Sequence, residues 1–297
     1  MSEDETPRER IAYLAYACVA WLGHVLPTHT GRMLFDWAGR AAYHLAPDAR
    51  AVVAANQARV LGRPTDDPLV VASTRQAFRS YARYWFDAFD VIDWSDERIR
   101  EHFVFEGMEH MQEAIAQGNG AIAALAHMGN WDAAGRAMKE RGFLITAVAE
   151  RLRPERLYRV FVRQREALGM RVIPLSKEGS VGRRLVAAAA ENHVLALISD
   201  RDLTGKGVTV EMFGAPRKLP GGPAMLSLAT GAPLIVCDVY QRKDGWHCVM
   251  HEPLRIESTG DRRADVTALT HLMAEAFERA ISAAPSDWHL FQPGWED

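Results

Sequence analysis

Residues Ala121–Asp132 read AIAALAHMGNWD: six small apolar residues run straight into His127, Gly129, Asn130, Trp131 and Asp132. The apolar run has the length of a buried strand, and Gly118 and Gly120 in front of it cut short the helical alternative. A histidine at the end of a buried strand, with a carboxylate five positions on, has the makings of an oriented base. In a strand–turn–helix the chain reverses between the two, so Asp132 is expected to fold back towards the His127 ring. It would hold one imidazole nitrogen and leave the other to take a proton from a substrate hydroxyl. A histidine near an aspartate is more often a surface or capping pair, so the neighbouring segments must decide.

Downstream of residue 103 the texture is alternating strand and helix. Strands are predicted at Phe103–Glu106, Ala121–Ala126, Phe143–Val148, Arg171–Pro174, Val194–Ser199 and Val208–Phe213. Helices are predicted at Met108–Ala116, Trp131–Arg141, Arg156–Leu168 and Ser180–Glu191, the last with Ser180 as its N-cap. Pro220-Gly221-Gly222-Pro223 opens a helix to Thr230. Pro233–Tyr240 and Trp246–His251 form an antiparallel pair, and a helix from about Arg263 to Ala283 precedes the tail 288–295. This alternation predicts an α/β fold: a central, mainly parallel or mixed sheet with helices on both faces.

The N-terminal third is helical instead. Residues 1–10 are polar and expected to be mobile. Ile11–Pro27 is apolar with Tyr13, Tyr16 and Trp21, but falls short of the roughly 20 residues needed to span a bilayer. It suits a core helix or one lying in a membrane interface, and the acidic leader argues against a signal peptide. Helices follow at Gly31–Leu45, Ala49–Leu61 and about Leu69–Val91. On the last, Arg75, Arg79 and Arg83 share one face beside Phe78, Tyr81, Trp85 and Phe89. The pattern fits a solvated basic stripe, or an anionic headgroup contact beside an aromatic-lined acyl groove. No linker, repeat or low-complexity segment divides the 297 residues, so a single domain is expected.

Composition excludes several classes. A net charge of −3 argues against a nucleic-acid partner. Cys18, Cys237 and Cys248 lack metal-ligand spacing and read as buried apolar fillers. There is no HExxH motif or P-loop, and the GxGxxA match at 118–123 leads into a strand instead of opening a helix after one. A serine hydrolase would need GxSxG, and Gly179-Ser180-Val181-Gly182 has the wrong spacing.

Three candidate strand ends, where α/β folds collect their functional groups, carry ionisable residues: His127 and Asp132, Glu150, and Asp200-Arg201-Asp202. Arg151, Arg153, Arg156, Arg159, Arg163 and Arg165 follow the second, set against Glu155 alone. Such density suits phosphates, as does the helix N-terminus after Pro220-Gly221-Gly222, although arginines facing solvent account for the run equally well. A histidine base without a protein nucleophile implies direct attack by a hydroxyl or water on an activated acceptor such as a thioester.

HMGNWD at 127–132 is the HxxxxD motif in the form found in lipid A lauroyl acyltransferases. With RSYARYW (79–85), DRDL (200–203), FG (213–214), LPGGPA (219–224), TGAPL (230–234) and HLFQPGW (289–295), the chain most resembles actinobacterial phosphatidylinositol mannoside acyltransferases. The likeness runs from about residue 75 to the C-terminus. It implies an α/β acyltransferase domain with no metal or cofactor, acyl-CoA entering as co-substrate. It also implies a peripheral enzyme on the cytoplasmic side of the plasma or inner membrane; residues 11–45 and the stripe of Arg75, Arg79 and Arg83 are expected to dock it on anionic lipid. A long acyl chain, typically palmitoyl, would pass to a mannose 6-hydroxyl of the glycolipid. By the resemblance His127 is the base, with Asp132 in its charge network, and Glu150 and Arg165 match the acidic and arginine positions after the next strand. Asp200 falls where the family often has Glu, so either Asp132 or Asp200 would orient His127. Asn130, Arg83, Arg201 and Asp202 are expected to contact substrate. A lipid A-like or lysophospholipid acceptor, a thioesterase, and a lipid-binding protein without chemistry are the alternatives.

Overall fold

A computed structural model describes residues 6–175 and 180–295, without the side chains of Arg8 and Ser180, so the cap expected at Ser180 lies outside it. Of the N-terminal leader, residues 1–5 lie outside the described residues. Residues 7–10 are helical, because Thr6 and Glu9 form a reciprocal capping box.

Four helices come first: α1 (Pro7–Val25), α2 (Thr28–Leu45), α3 (Pro47–Leu61) and α4 (Pro68–Asp90). Then follow α5 (Asp96–His102), β1 (Phe103–Glu106), α6 (Met108–Ala116), β2 (Ala121–Leu125), α7 (Trp131–Glu140) and β3 (Ile145–Glu150). The chain continues with α8 (Glu155–Ala167), β4 (Met170–Leu175), α9 (Ser180–Ala190), β5 (Val194–Ile198), β6 (Val208–Met212) and β7 (Ala215–Leu219). It ends with α10 (Gly222–Thr230), β8 (Leu234–Arg242), β9 (Gly245–Met250) and α11 (Arg262–Ala283).

Seven strands form one sheet in the order β1-β9-β8-β2-β5-β3-β4, and β6 and β7 form a separate antiparallel hairpin. β8, β2, β5, β3 and β4 run parallel, and β9 turns back antiparallel on β8. The mixed sheet expected from the alternation is therefore present. β2 lies at its centre and is buried on both faces. Ile122 and Ala124 meet a cluster with α9, α10 and α11, while Ala121, Ala123 and Leu125 meet one with α6 and α7. Alanines suit a strand sandwiched between closely packed helices.

Three local expectations need correction. β3 begins at Ile145 and not at Phe143, because Gly142 takes a left-handed φ of 87° and prolongs the preceding turn. α5 and β7 form in stretches for which the pattern predicts no element. Among the cysteines only Cys237 and Cys248 are buried, whereas Cys18 is exposed on α1.

The N-terminal helices clasp the far end of the chain. Asn56 of α3 donates to the carbonyls of Leu290 and Gln292 and accepts from the Gly294 amide, and Gln57 donates to the Pro285 carbonyl. The clasped segment in turn pins the stretch after β2. His289 N–H donates to the His127 carbonyl, Gly129 N–H to the Asp287 carbonyl, and Met128 bridges Trp288. Gly129 has φ 57°, and a Cβ there would lie 2.2 Å from the Val239 carbonyl oxygen, so only glycine allows this turn.

Candidate active site

Register decides the partner of the histidine. β2 and β5 pair in parallel, with Leu125 opposite Ile198. Two residues beyond the sheet edge, the same offset sets His127 beside Asp200. Nδ1 of His127 lies 2.6 Å from Oδ1 of Asp200, which is fully buried. Trp288 Nε1–H donates to the other carboxylate oxygen at 2.8 Å, and Arg217 donates to the Asp200 carbonyl at 2.6 Å. Burial alone would push the Asp200 carboxyl up. The charge of His127 and the hydrogen bonds from His127 and Trp288 outweigh it and hold the group well below the usual carboxylate range. The ring stands edge-on to Trp131, and among the described residues its one side-chain hydrogen bond is the one through Nδ1.

Asp132 does not fold back on His127, which corrects the simple dyad expected from the motif. It is buried in the first turn of α7. Arg165 of α8 donates to it through Nε at 2.9 Å, and the Tyr84 hydroxyl of α4 donates at 2.8 Å. Burial, with Asp132 beyond it, pushes the Tyr84 phenol well above its ordinary value, so it remains a donor. Asp132 thus ties α4, α7 and α8 together and fixes the Arg165 fork beside the histidine.

The other candidates separate by position. His127, Glu150, Arg165, Arg201 and Asp202 line one groove of about 620 Å³, a size suited to a ligand. Its walls are mostly aliphatic, with Val148, Leu175, Leu185, Leu197, Leu203 and Met225 among them. Glu150, the last residue of β3, faces Arg201 at 3.9 Å. The Asp202 carboxylate is occupied by its own loop, accepting from Thr204 and from Gly207 N–H. A smaller apolar cavity of about 70 Å³ lies deeper, with Asp132 and Arg165 in its lining.

Asn130 is fully buried. Its Oδ1 caps α7 by accepting from Ala133 N–H, so it shapes the turn and reaches no ligand space. Arg83 lies elsewhere, pairing with Asp87. The aromatic residues of α4 do not line the groove: Tyr81 and Trp85 pack with Phe291, Tyr16 and Phe161. The arginine run divides, since Arg151 and Arg159 pair with Glu155, Arg156 lies over the Tyr13 ring, and Arg165 turns inward.

Sequence reasoning missed Trp288, Tyr84 and His289. Each sits in a string that carries the family likeness or directly beside one, and that was the available signal. The His289 imidazole is buried and bonded to the Ser80 hydroxyl at 2.9 Å. Ser80 donates to Asp287, so Nε2–H of His289 is the donor to Ser80. Burial, with the charge of His127 adding, pushes His289 down to about 3. A group held neutral when folded takes up its proton on unfolding below about pH 6.5. The unfolded chain then binds one more proton between about pH 6.5 and 3, so stability falls with pH by up to about 1.4 kcal/mol per unit. Urea unfolding at pH 7 and pH 5 should show this loss, and His289→Gln, which keeps a donor for Ser80, should shrink it by about one proton. An unchanged pH slope in that variant would place the proton elsewhere.

The bacterial lipid A biosynthesis acyltransferase family model matches residues 3–297. Phosphatidylinositol mannoside acyltransferases of two Mycobacterium tuberculosis strains, CDC 1551 / Oshkosh and H37Rv, are each 38% identical over 289 residues, which is 95% of this chain and 87% of theirs. That of Mycolicibacterium smegmatis is 39% identical over 244 residues, 81% of this chain and 77% of its own. A histidine just past the end of the central strand, a buried carboxylate bonded to it and an apolar groove in front suit acyl transfer, and the chain belongs to the bacterial lipid A biosynthesis acyltransferase family.

Proposed function

We propose that the chain transfers a long acyl group, palmitoyl as expected, from acyl-CoA to a mannose 6-hydroxyl of a phosphatidylinositol mannoside. The observation that carries this reading is His127, held through Nδ1 by buried Asp200, with its ring on the groove that Arg165, Arg201 and Glu150 also line. The identity to the mycobacterial enzymes supports the choice of acceptor.

In the reaction, Nε2 of His127 takes the proton of the sugar hydroxyl as its oxygen attacks the thioester carbonyl. Asp200 stabilises the imidazolium that forms. The C–O bond forms, the C–S bond breaks, and the proton passes from His127 to the departing CoA thiolate. The two amides directly after His127 do not serve the oxyanion, because Met128 N–H donates to Ala126 and Gly129 N–H to Asp287. Arg165, fixed by Asp132, is the donor assigned to that charge. The acyl chain lies along the aliphatic walls of the groove.

The whole chain acts as one acyltransferase domain, peripheral on the cytoplasmic face of the membrane. No helix among the described residues is long and apolar enough to cross a bilayer. Ile11, Leu14 and Trp21 of α1 and Met33, Leu34, Trp37 and Leu45 of α2 are exposed, as in helices lying in an interface.

Incubation with palmitoyl-CoA and a panel of phosphatidylinositol mannosides, lysophospholipids and lipid A precursors, read by mass spectrometry, tests the assignment. A palmitoyl mass added to the mannoside is expected. Acylation of another acceptor alone overturns the substrate, free palmitate alone makes the protein a thioesterase, and no turnover leaves a lipid binder.

A further inference from the structure

A second cavity, of about 640 Å³, opens between α2, α4, α5 and the turn joining β8 to β9, and His127 does not line it. Its walls carry Arg32, Arg40, Arg79, Arg83, Arg98 and Lys243. Four carboxylates face these six cations. Asp36 accepts from Arg40 and Arg79, Asp87 from Arg32 and Arg83, Asp90 from Thr28 and Trp94, and Asp244 stands at the rim. Two positive charges are left over.

The guanidinium groups are also held still. Nε of Arg32 and Nε of Arg83 both donate to the buried Asp87 carboxylate, at 2.8 and 3.0 Å, which fixes two forks side by side. The Nη2 atom of each is buried with no hydrogen-bond partner among the described residues. Leaving buried donors unpaired is costly unless a ligand supplies acceptors. The Arg98 guanidinium carbon sits over the Trp94 ring, 3.8 Å from its centroid, and the group donates to the Thr28 hydroxyl. Planar forks in fixed orientation match the oxygens of a phosphate.

The mouth of the cavity tells which phosphate. Met33 and Trp37 line it and belong to the exposed apolar strip of α2. A ligand here has an anionic head among arginines and an apolar body beside Met33 and Trp37. We propose that this cavity is a seat for the phosphate headgroup of an anionic membrane phospholipid, distinct from the acyl-transfer groove. The lipid keeps its chains in the bilayer beneath α2 and fixes the orientation of the enzyme on the surface. Ser80 and Gln241 form part of the cavity lining and are hydrogen-bonded to each other, and Ser80 bonds His289, whose N–H holds the His127 carbonyl. The seat and the base therefore share one wall.

The test contains no acyl-CoA or acceptor, so it stands or falls apart from the catalytic reading. The full chain is floated with vesicles of phosphatidylcholine alone or mixed with phosphatidylglycerol. Arg40→Gln/Lys243→Glu removes charge at two exposed positions of the seat and spares the Asp87 pair. Its affinity for the mixed vesicles should fall about tenfold, with binding to phosphatidylcholine unchanged. Arg255→Gln/Arg263→Glu makes the same charge change outside the cavity and should bind as the wild type does. Equal loss in both variants would mean diffuse attraction and overturn the seat, as would no loss in the first. Inorganic phosphate at the same phosphate concentration as the vesicle lipid should leave binding in place. Displacement by it would make the cavity a site for a free anion and overturn the lipid assignment.

Discussion

Replacement of His127 by alanine is expected to lower turnover by about a hundred- to ten-thousand-fold, the range that a positioned general base contributes. The size of the effect follows from the surroundings of the ring. Nδ1 is committed to a buried carboxylate, so the proton traffic of the reaction falls on Nε2 alone. Among the described residues, the hydroxyls that line the groove are committed elsewhere: that of Ser199 donates to the Leu197 carbonyl and that of Thr204 to the Asp202 carboxylate. The buried Cys237 and Cys248 thiols are pushed up by burial and supply no thiolate. Loss of the imidazole leaves the Asp200 carboxylate with Trp288 as its remaining hydrogen-bond donor among the described residues, so some stability is lost as well. Initial rates of acyl transfer should therefore be read beside a thermal melt. A folded His127→Ala protein turning over within threefold of wild type would sink the general-base role.

Much of this site could be read along the chain, because its parts are local. The strand that presents His127, the turn at Gly129 and the helix begun by Trp131 follow one another within a dozen residues, and each signals itself by composition. Glu150 and Arg201 follow the same rule of charged groups after apolar runs, and they meet in one groove. Side-chain partnership was not local. Whether His127 faces Asp132 or Asp200 depends on the register between β2 and β5, strands adjacent in the sheet but separated by two others along the chain. Nothing in the motif encodes that offset. The clasp of α3 on the C-terminal segment and the Trp288 bond to Asp200 are hidden for the same reason.

The elements missed have local causes. α5 has one buried apolar residue, Ile99, so it carries no periodicity, although Ser95 caps it and Asp96 and Glu97 sit in its first turn. β7 reads Ala-Pro-Arg-Lys-Leu, and its inward residue Arg217 is buried with Trp288 and Trp295 flanking the guanidinium, at 5.6 and 5.0 Å, and with the Asp200 carbonyl as its acceptor. A cation sheltered by two distant tryptophans looks like a solvent-facing residue in sequence.

The register argument yields the second large effect, a contrast between two carboxylates that the motif alone ranks the other way. Asp200→Asn should lower kcat by about a hundredfold or more and leave the KM for acyl-CoA within a few-fold. It removes the negative charge that stabilises the imidazolium in the transition state, while the apolar groove keeps its shape. The depressed Asp200 carboxyl also fixes the sign of its pH dependence. Its contribution to stability is present above the unfolded value near pH 4 and is lost only as pH falls through its lower folded value. Over pH 5–9 the carboxylate is ionised throughout, so the Asp200→Asn deficit should be of similar size across that range. Asp132→Asn should behave differently. Its carboxylate holds Arg165 and Tyr84, so the change leaves a buried guanidinium without its anion. Breaking a buried pair in this way costs about 3–5 kcal/mol. The melting temperature should drop clearly, and the activity loss should follow the loosening of Arg165. A conservative Asp132→Glu should recover part of the stability by reaching Arg165 again. If Asp132→Asn cut kcat a hundredfold with an unchanged melting temperature, while Asp200→Asn stayed within threefold of wild type, the carboxylate orienting His127 would be Asp132 after all.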